Sequence, residues 1–417
     1  MGAVMDTKKN LSKTAVQKEK GFLLMPLYGA LRVYYALRGI KIRRVNKCGH
    51  LPEKPSIVLC NHGSFIDFIY AETLIIKARP HFVVARLYFY HKYLGWLLRK
   101  LGCFPKSMFA LDVESTKNCL RVLQSGEILA MMPEARLSTA GQFEDIQEST
   151  YAFLKKCGVP VYTVKLQGDY LASPKWGNGL RRGALVEAEL DILFTKEQID
   201  SLSVAEIKAG VEDRLYYDEF AWLESRPHVR YRHKRLAEGL ENILSLCPVC
   251  GQKHTIYTKG RDVFCKTCGK LASLDQRYQF TGDFQFKNLS QWYHWQKEVL
   301  QQQIASDDAF SLCSKVELRL PSEGKGLTRH GGTGYCVLNR EGLCYTGTRD
   351  DEEVTLQFPL KQVYRLLFGA GENFESYNGN QILYFVPENK QSCVDWYMCS
   401  MLLYDETQQK SKVGGVV

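Results

Sequence analysis

Asn61-His62-Gly63-Ser64-Phe65-Ile66-Asp67 sets a histidine and an aspartate five positions apart, just where an apolar run, Ser56–Cys60, gives way to a helical pattern. A histidine at the carboxyl edge of a sheet strand stands where α/β proteins gather their chemistry. Asp67 falls about one turn into the following helix, so its carboxylate can reach back to one ring nitrogen of His62. Such a carboxylate fixes the tautomer and makes the other nitrogen a better base. The pair is two-thirds of a triad, and no Gly-x-Ser-x-Gly turn supplies a nucleophile. The substrate is therefore expected to bring the hydroxyl. Taken alone, the same spacing also fits a surface histidine and a helix-capping aspartate.

Two later segments change that balance. Met131-Met132-Pro133-Glu134-Ala135-Arg136-Leu137-Ser138 directly follows the apolar run Ile128–Met132 and puts a carboxylate and a guanidinium at one sheet edge. The planar donor fork of arginine suits phosphate. Gly158-Val159-Pro160-Val161 opens another strand toward the same edge.

The elements that must position these residues alternate in type. Strands are predicted at Ser56–Cys60, His81–Ala85, Ile128–Met132, Val159–Leu166 and Leu185–Leu193. Helices are predicted at Phe65–Lys77, Tyr88–Leu101, Val113–Gln124 and Ile146–Cys157. Strands alternating with helices of this length imply an α/β layered sheet.

In this order and at these separations, the three motifs resemble the glycerolipid acyltransferase superfamily, which includes 1-acylglycerol-3-phosphate and lysophospholipid acyltransferases. The family pattern is Asn-His, four residues, Asp; then Phe-Pro-Glu-Gly-Thr-Arg-Ser; then a Val-Pro-Val-like strand. The resemblance covers Phe22–Thr195. It implies a mixed sheet flanked by helices and a direct acyl transfer, with His62 as general base and Asp67 orienting it. It further implies an acyl thioester, acyl-CoA or acyl-ACP, as cosubstrate and a lysophospholipid as acceptor, with 1-acylglycerol 3-phosphate the default and lysophosphatidylethanolamine an alternative. Glu134 would position the glycerol, Arg136 with Lys106 would hold phosphate, and backbone N–H groups near Gly63 or Ala135 would stabilise the oxyanion. The chain departs from the pattern in three places. Ala135 replaces Gly, Arg136 comes two positions after Glu134 instead of three, and Met108 stands where the family has Arg six residues after a Gly, here Gly102.

The chain has 417 residues, 45% hydrophobic and 24% charged, which excludes a disordered or fibrous protein. Its net charge of +10 points to an acidic partner. That charge is concentrated: the first 54 residues hold twelve Lys or Arg and three acids, nine of the ten net units. Between the basic clusters lies the 17-residue segment Gly21–Leu37, apolar on nearly every helical face. A membrane span needs about 20 apolar residues, and this one holds Pro26 and Arg32. It reads as a helix lying in one leaflet with basic flanks on anionic headgroups; a buried N-terminal helix is the competing account. The expected location is the cytoplasmic face of the cell membrane, with membrane phospholipid as a partner. Met1–Lys20 is polar and Lys-rich without the apolar core of a secretory leader, so a reducing compartment is expected.

Of 14 cysteines, four form Cys247-Pro-Val-Cys250-Gly and, after 14 residues, Cys265-Lys-Thr-Cys268-Gly. Four thiolates at this spacing suit a closed tetrahedral Zn²⁺ site with no position open for catalysis. The expectation is a structural zinc ribbon, with rubredoxin-like iron as the minor alternative. No nucleic acid is expected, because the basic residues cluster at the far end of the chain; a scaffold or protein-docking role fits the ribbon better. Phe310–Tyr404 reads as a run of strands closed by one helix, similar to pleckstrin-homology-related lipid-binding barrels. The resulting division is 1–54 membrane-associating segment, 55–240 acyltransferase domain, 241–275 ribbon, 276–307 helical linker, 308–407 β-rich PH-like domain and 408–417 disordered tail. A reading of another class keeps the acyltransferase fold as a vestige in a zinc-ribbon membrane adaptor, and a nucleic-acid-binding zinc protein is the third.

Overall fold

The computed structural model describes residues 21–108, 112–322, 327–379 and 381–414. The Lys-rich Met1–Lys20 lies outside the described residues. The chain forms two compact units. One takes in the residues up to Pro174 and Leu180–Arg232; the other takes in Lys175–Gly179 and nearly all of the chain from His233 onward.

The first unit begins with α1 (Gly21–Leu37). A seven-stranded sheet follows: β1 (Lys41–Asn46), β2 (Ser56–Cys60), β3 (His81–Ala85), β4 (Phe104–Lys106), β5 (Ile128–Met131), β6 (Val161–Gln167) and β7 (Leu185–Phe194), in spatial order β1-β7-β6-β2-β5-β3-β4. The central neighbours β6, β2, β5, β3 and β4 run parallel, and β7 is antiparallel to β6. β2 is buried along its whole length, as a strand covered on both faces must be. Burying Ile57 and Leu59, both fully enclosed, contributes roughly 2 kcal/mol each. Around the sheet lie α2 (Asp67–Ile75), α3 (Lys92–Lys100), α4 (Val113–Gln124), α5 (Glu148–Cys157), α6 (Val204–Leu215) and α7 (Glu219–Glu224). Their starts follow from local chemistry. The Asp112 carboxylate accepts the Ser115 N–H (3.0 Å) ahead of α4, and a reciprocal Ser203/Glu206 capping box opens α6.

Lys41–Asn46, read as part of the membrane-associating segment, is the edge strand β1, paired in parallel with β7. Its period-2 signal is lost because polar residues are exposed on both faces, Lys41 and Arg43 on one and Arg44 and Asn46 on the other. In α1, Tyr35 is buried against Tyr70 (ring centroids 5.6 Å apart), whereas Val33, Tyr34 and Leu37 are exposed. No helix among the described residues is long and apolar enough to cross a membrane.

In the second unit, β8 (Ile256–Lys259), β9 (Asp262–Cys265), β10 (Gly269–Leu274) and β11 (Phe280–Thr281) form an antiparallel sheet around the cysteine pairs. The ribbon sheet thus reaches Thr281, beyond residue 275. α8 (Leu289–Ser306) follows. Strands β12 (Leu312–Pro321), β13 (Thr328–Asn339), β14 (Gly342–Arg349), β15 (Glu352–Pro359), β16 (Leu367–Gly369), β17 (Asn373–Asn378) and β18 (Gln381–Pro387) make a second antiparallel sheet, ordered β15-β14-β13-β12-β18-β17-β16. The closing helix α9 (Cys393–Gly414) stacks Trp396 on Phe374 at 4.3 Å and continues through most of the stretch read as a disordered tail.

Candidate active site

Register brings the carboxyl ends of three parallel strands together. Leu59 of β2 pairs with Met131 of β5, and Cys60 with Val164 of β6. Beyond the end of β2, Asn61 continues the ladder with its side chain: its Nδ2 donates to Leu166 O (2.9 Å), and the Leu166 N–H donates to its Oδ1 (2.6 Å). A carboxamide has the donor and acceptor of a peptide group, and this lets the backbone turn out of the sheet without leaving β6 unpaired.

The turn delivers His62. Its Nδ1 lies 3.0 Å from Asp67 Oδ2, which also accepts the Ser64 N–H at 2.8 Å. Asp67 is fully buried, while 22% of the His62 side chain reaches solvent. A carboxylate facing Nδ1 assigns the proton to that nitrogen and the lone pair to Nε2. Gly63 is required here by close approach: a Cβ would fall 2.5 Å from Asp169 Oδ2.

Glu134 is also fully buried. Its Oε1 accepts the His62 N–H (2.9 Å), and its Oε2 accepts the Glu144 N–H (2.9 Å) and the Tyr217 hydroxyl (3.4 Å). Burial raises this carboxyl to about 8, against the pull of those two amides. Glu134 therefore braces the histidine turn against the loop after β5. That loop is also tied by the Ser138 N–H, which donates to His62 O at 2.9 Å. Ala135 has φ +58°, the left-handed conformation in which the related pattern has Gly, and its N–H donates to Met132 O at 3.1 Å. Arg136 is buried and paired with Glu144 (3.1 Å). Lys106 is partly exposed at the end of β4.

Several groups were not found from the sequence. Asp169 follows β6 and Glu219 opens α7; both are fully buried and both are raised well above the usual carboxylate range, chiefly by burial. Glu219 accepts the Gly168 N–H with both oxygens (2.9 and 2.7 Å). Arg86 pairs with Asp112 at 2.8 Å and donates to Ser107 Oγ, also at 2.8 Å. This ties Ser107, next to the Met108 that replaces arginine, to Asp112 through Arg86. The Gly168-Asp169 pair after a parallel strand was the one local signal for Asp169.

In the second unit, the Sγ atoms of Cys247, Cys250, Cys265 and Cys268 all lie within 4.8 Å of one another, with 4.0 Å from Cys247 to Cys268 and 3.7 Å from Cys250 to Cys265. A tetrahedron with Zn–S bonds of about 2.3 Å has S···S edges of about 3.8 Å. The donor set and its dimensions fit zinc, and four thiolates leave no position open for a substrate.

The Acyltransferase family model matches residues 42–167. The chain is 27% identical over 104 residues to the 1-acyl-sn-glycerol-3-phosphate acyltransferase of Bacillus subtilis (strain 168), covering 25% of this chain and 52% of that protein. It is 24% identical over 131 residues to the chloroplastic 1-acyl-sn-glycerol-3-phosphate acyltransferase LPAT1 of Arabidopsis thaliana, covering 31% and 36%. The chain thus spans between a third and about half the length of these relatives. The crystal structure of the 1-acyl-sn-glycerophosphate (LPA) acyltransferase PlsC from Thermotoga maritima aligns with a TM-score of 0.39 at 19% identity, over 46% of this chain and 77% of that one. The His62–Asp67 turn, the Glu134 loop and the strand after Pro160 all lie inside or beside the segment that matches the Acyltransferase model, and over that segment the first unit is similar to the glycerolipid acyltransferase superfamily.

Proposed function

We propose that the first unit is a membrane-associated O-acyltransferase that moves a fatty acyl group from acyl-CoA or acyl-ACP to the free hydroxyl of a lysophospholipid. The observation that carries this is the His62–Asp67 pair, with Nδ1 facing the buried carboxylate at 3.0 Å and the ring partly open to solvent. Nε2 takes the proton of the acceptor hydroxyl as its oxygen attacks the thioester carbonyl. The tetrahedral intermediate then collapses, the C–S bond breaks, and the imidazolium returns the proton to the departing thiolate. Because the Ala135 amide is engaged in its own turn, the Gly63 amide is the better oxyanion donor, a contribution of about 3 kcal/mol in such sites. Exposed Phe65, edge-on to Tyr88 at 5.7 Å, and exposed Phe68 flank this turn with apolar surface suited to an acyl chain.

For the acceptor, 1-acylglycerol 3-phosphate is the first reading, with Arg136 and Lys106 on its phosphate. A second reading, lysophosphatidylethanolamine, is favoured by the Arg136–Glu144 ion pair and by Met108, which reduce the positive charge free for a phosphomonoester. The exposed residues of α1 and the basic segment before β2 support docking on the cytoplasmic face of a membrane. The strand order of the second unit and its closing helix support a PH-like docking domain. Purified protein offered acyl-CoA and acyl-ACP with a panel of lysolipids should acylate one class preferentially and lose that activity as His62→Ala. Undiminished transfer by His62→Ala would refute the mechanism.

A further inference from the structure

Asp169 stands just beyond β6, the third of the parallel strands whose ends gather the site, and no step above uses it. It is fully buried. Among the described residues, no N–H or O–H meets either of its carboxyl oxygens in hydrogen-bond geometry, and Oδ1 of Asp67 is in the same condition. The two carboxyls are side-chain neighbours within hydrogen-bonding reach. Asp169 also lies hard against the histidine turn, where only the missing Cβ of Gly63 leaves it room. Two carboxylates buried together cannot both stay ionised, and three acceptor oxygens without a donor are costly in a buried site. One proton between them supplies the missing donor.

The surroundings decide which aspartate keeps that proton. Asp67 Oδ2 receives both the His62 Nδ1–H and the Ser64 N–H, and donors favour the anion. Asp169 has only its own N–H and that of Tyr170 beside it, neither in hydrogen-bond geometry. The groups facing it are Asp67 and Tyr70 on α2, Cys60 on β2, Tyr217 before α7, and Glu219 on α7. Each of these groups is an acid. Burial, then the charge of Asp67, raises the Asp169 carboxyl, with the amides of Asp169 and Tyr170 pulling weakly the other way.

We propose that Asp169 is a positioning residue for the His62–Asp67 pair: as a neutral carboxylic acid it donates its O–H to Asp67 Oδ1 and holds Asp67 turned toward His62. The proton stays on Asp169 throughout, and Asp169 touches no reacting atom. Without this donor, Asp67 Oδ1 faces nothing, and the carboxyl is free to rotate or to take a proton itself, losing its hold on Nδ1. The kinetic consequence rests on the acyl transfer proposed above; the shared proton does not.

The test uses the full-length, zinc-loaded protein labelled with ¹⁵N-histidine. His62 is titrated by NMR in the wild type, Asp169→Asn and Asp169→Ala, and acyl transfer is measured in parallel. The carboxamide of Asp169→Asn replaces an uncharged O–H donor with an uncharged N–H donor. It should therefore keep the His62 Nδ1–H signal, leave the His62 pKa within a few tenths of a unit and leave kcat nearly unchanged. Asp169→Ala should lose the Nδ1–H signal and lower kcat roughly 10- to 100-fold, with KM little altered, as expected for a lost hydrogen bond to a charged group. A His62 pKa lowered by about one unit or more in Asp169→Asn would show that a negative charge had been removed, and would overturn the proposal. An unchanged His62 signal and kcat in Asp169→Ala would overturn it as well. Should Asp169→Ala fail to fold, the Asp169→Asn titration decides alone. If the wild type acylates no lysophospholipid, the acyl-transfer reading fails while the NMR titration still judges the shared proton.

Discussion

Around His62, four carboxyls (Asp67, Glu134, Asp169 and Glu219) are fully buried in the first unit, whereas in the second unit four thiols converge within 4.8 Å at the cysteine pairs. Both clusters gather acids, and both must avoid burying unpaired negative charge. The carboxyl cluster does so with its own chain. Amides of His62, Ser64, Glu144 and Gly168 donate into it, and protons retained by raised carboxyls remove the remaining charge. The thiol cluster also receives amides, those of Val249 and Cys250 at Cys247 and those of Thr267 and Cys268 at Cys265, but here the four acids converge on one point. Its dimensions are those of a cation-filled tetrahedron. The lesson is that one site is completed by folding, whereas the other has the donors and dimensions for a metal to complete it, so that the two should fail under different conditions.

The largest effect expected follows from that difference. Removing zinc with a chelator should unfold the ribbon, because structural zinc supplies about 10–16 kcal/mol of apparent binding free energy that is also folding free energy. Calorimetry with and without chelator should lose the second unit's transition while the His62 titration persists. Loss of both together would erase the contrast. Next in size, His62→Ala should lower kcat by about 10²- to 10⁴-fold, the usual range for removing a general base, with the melting temperature nearly unchanged. A smaller effect concerns pH. Glu134 sits at about 8 in the folded chain against an ordinary value of about 4.3, so between these values the folded state binds more protons. Stability from this group is therefore greatest at the acid end and falls as pH rises, by up to about 1.4 kcal/mol per pH unit. Glu134→Gln should flatten that slope in denaturant titrations while lowering stability overall, and a slope that survives would assign it to Asp169 or Glu219. The smallest effect is expected at Ala135, where φ is +58°: Ala135→Gly should raise stability by about 0.5–1 kcal/mol through relief of left-handed backbone strain.

Much of the α/β unit was legible because its signals are local. β2, β3 and α4 match their predicted bounds, the other three predicted strands fall within two residues of theirs, and the three-residue β4 carries too short a signal to be read. β1 was missed because its charged residues Lys41, Arg43 and Arg44 read as a membrane flank, whereas they are the exposed residues of an edge strand. For the site, the His62–Asp67 pair was legible because both residues sit in one turn. Glu134 was found, but its partners were not. A Glu in a loop that resembles the family's Pro-Glu motif suggests a substrate contact, and only the geometry shows its two oxygens already taken by the amides of His62 and Glu144.

The sequence by itself determined the histidine–aspartate turn, the four-cysteine knuckles and the alternation of strands and helices. Each is written within a few residues, at spacings set by a helical turn, a metal tetrahedron or a strand's pleat. Tertiary structure alone decided what surrounds His62. The β6-β2-β5 order brings Asn61 to Leu166 across 105 positions and His62 to Glu134 across 72, and it sets Asp169 against Gly63. Strand neighbours depend on the packing of the whole sheet, and so do the burial that raises these carboxyls and the donors that decide which of them keeps its charge.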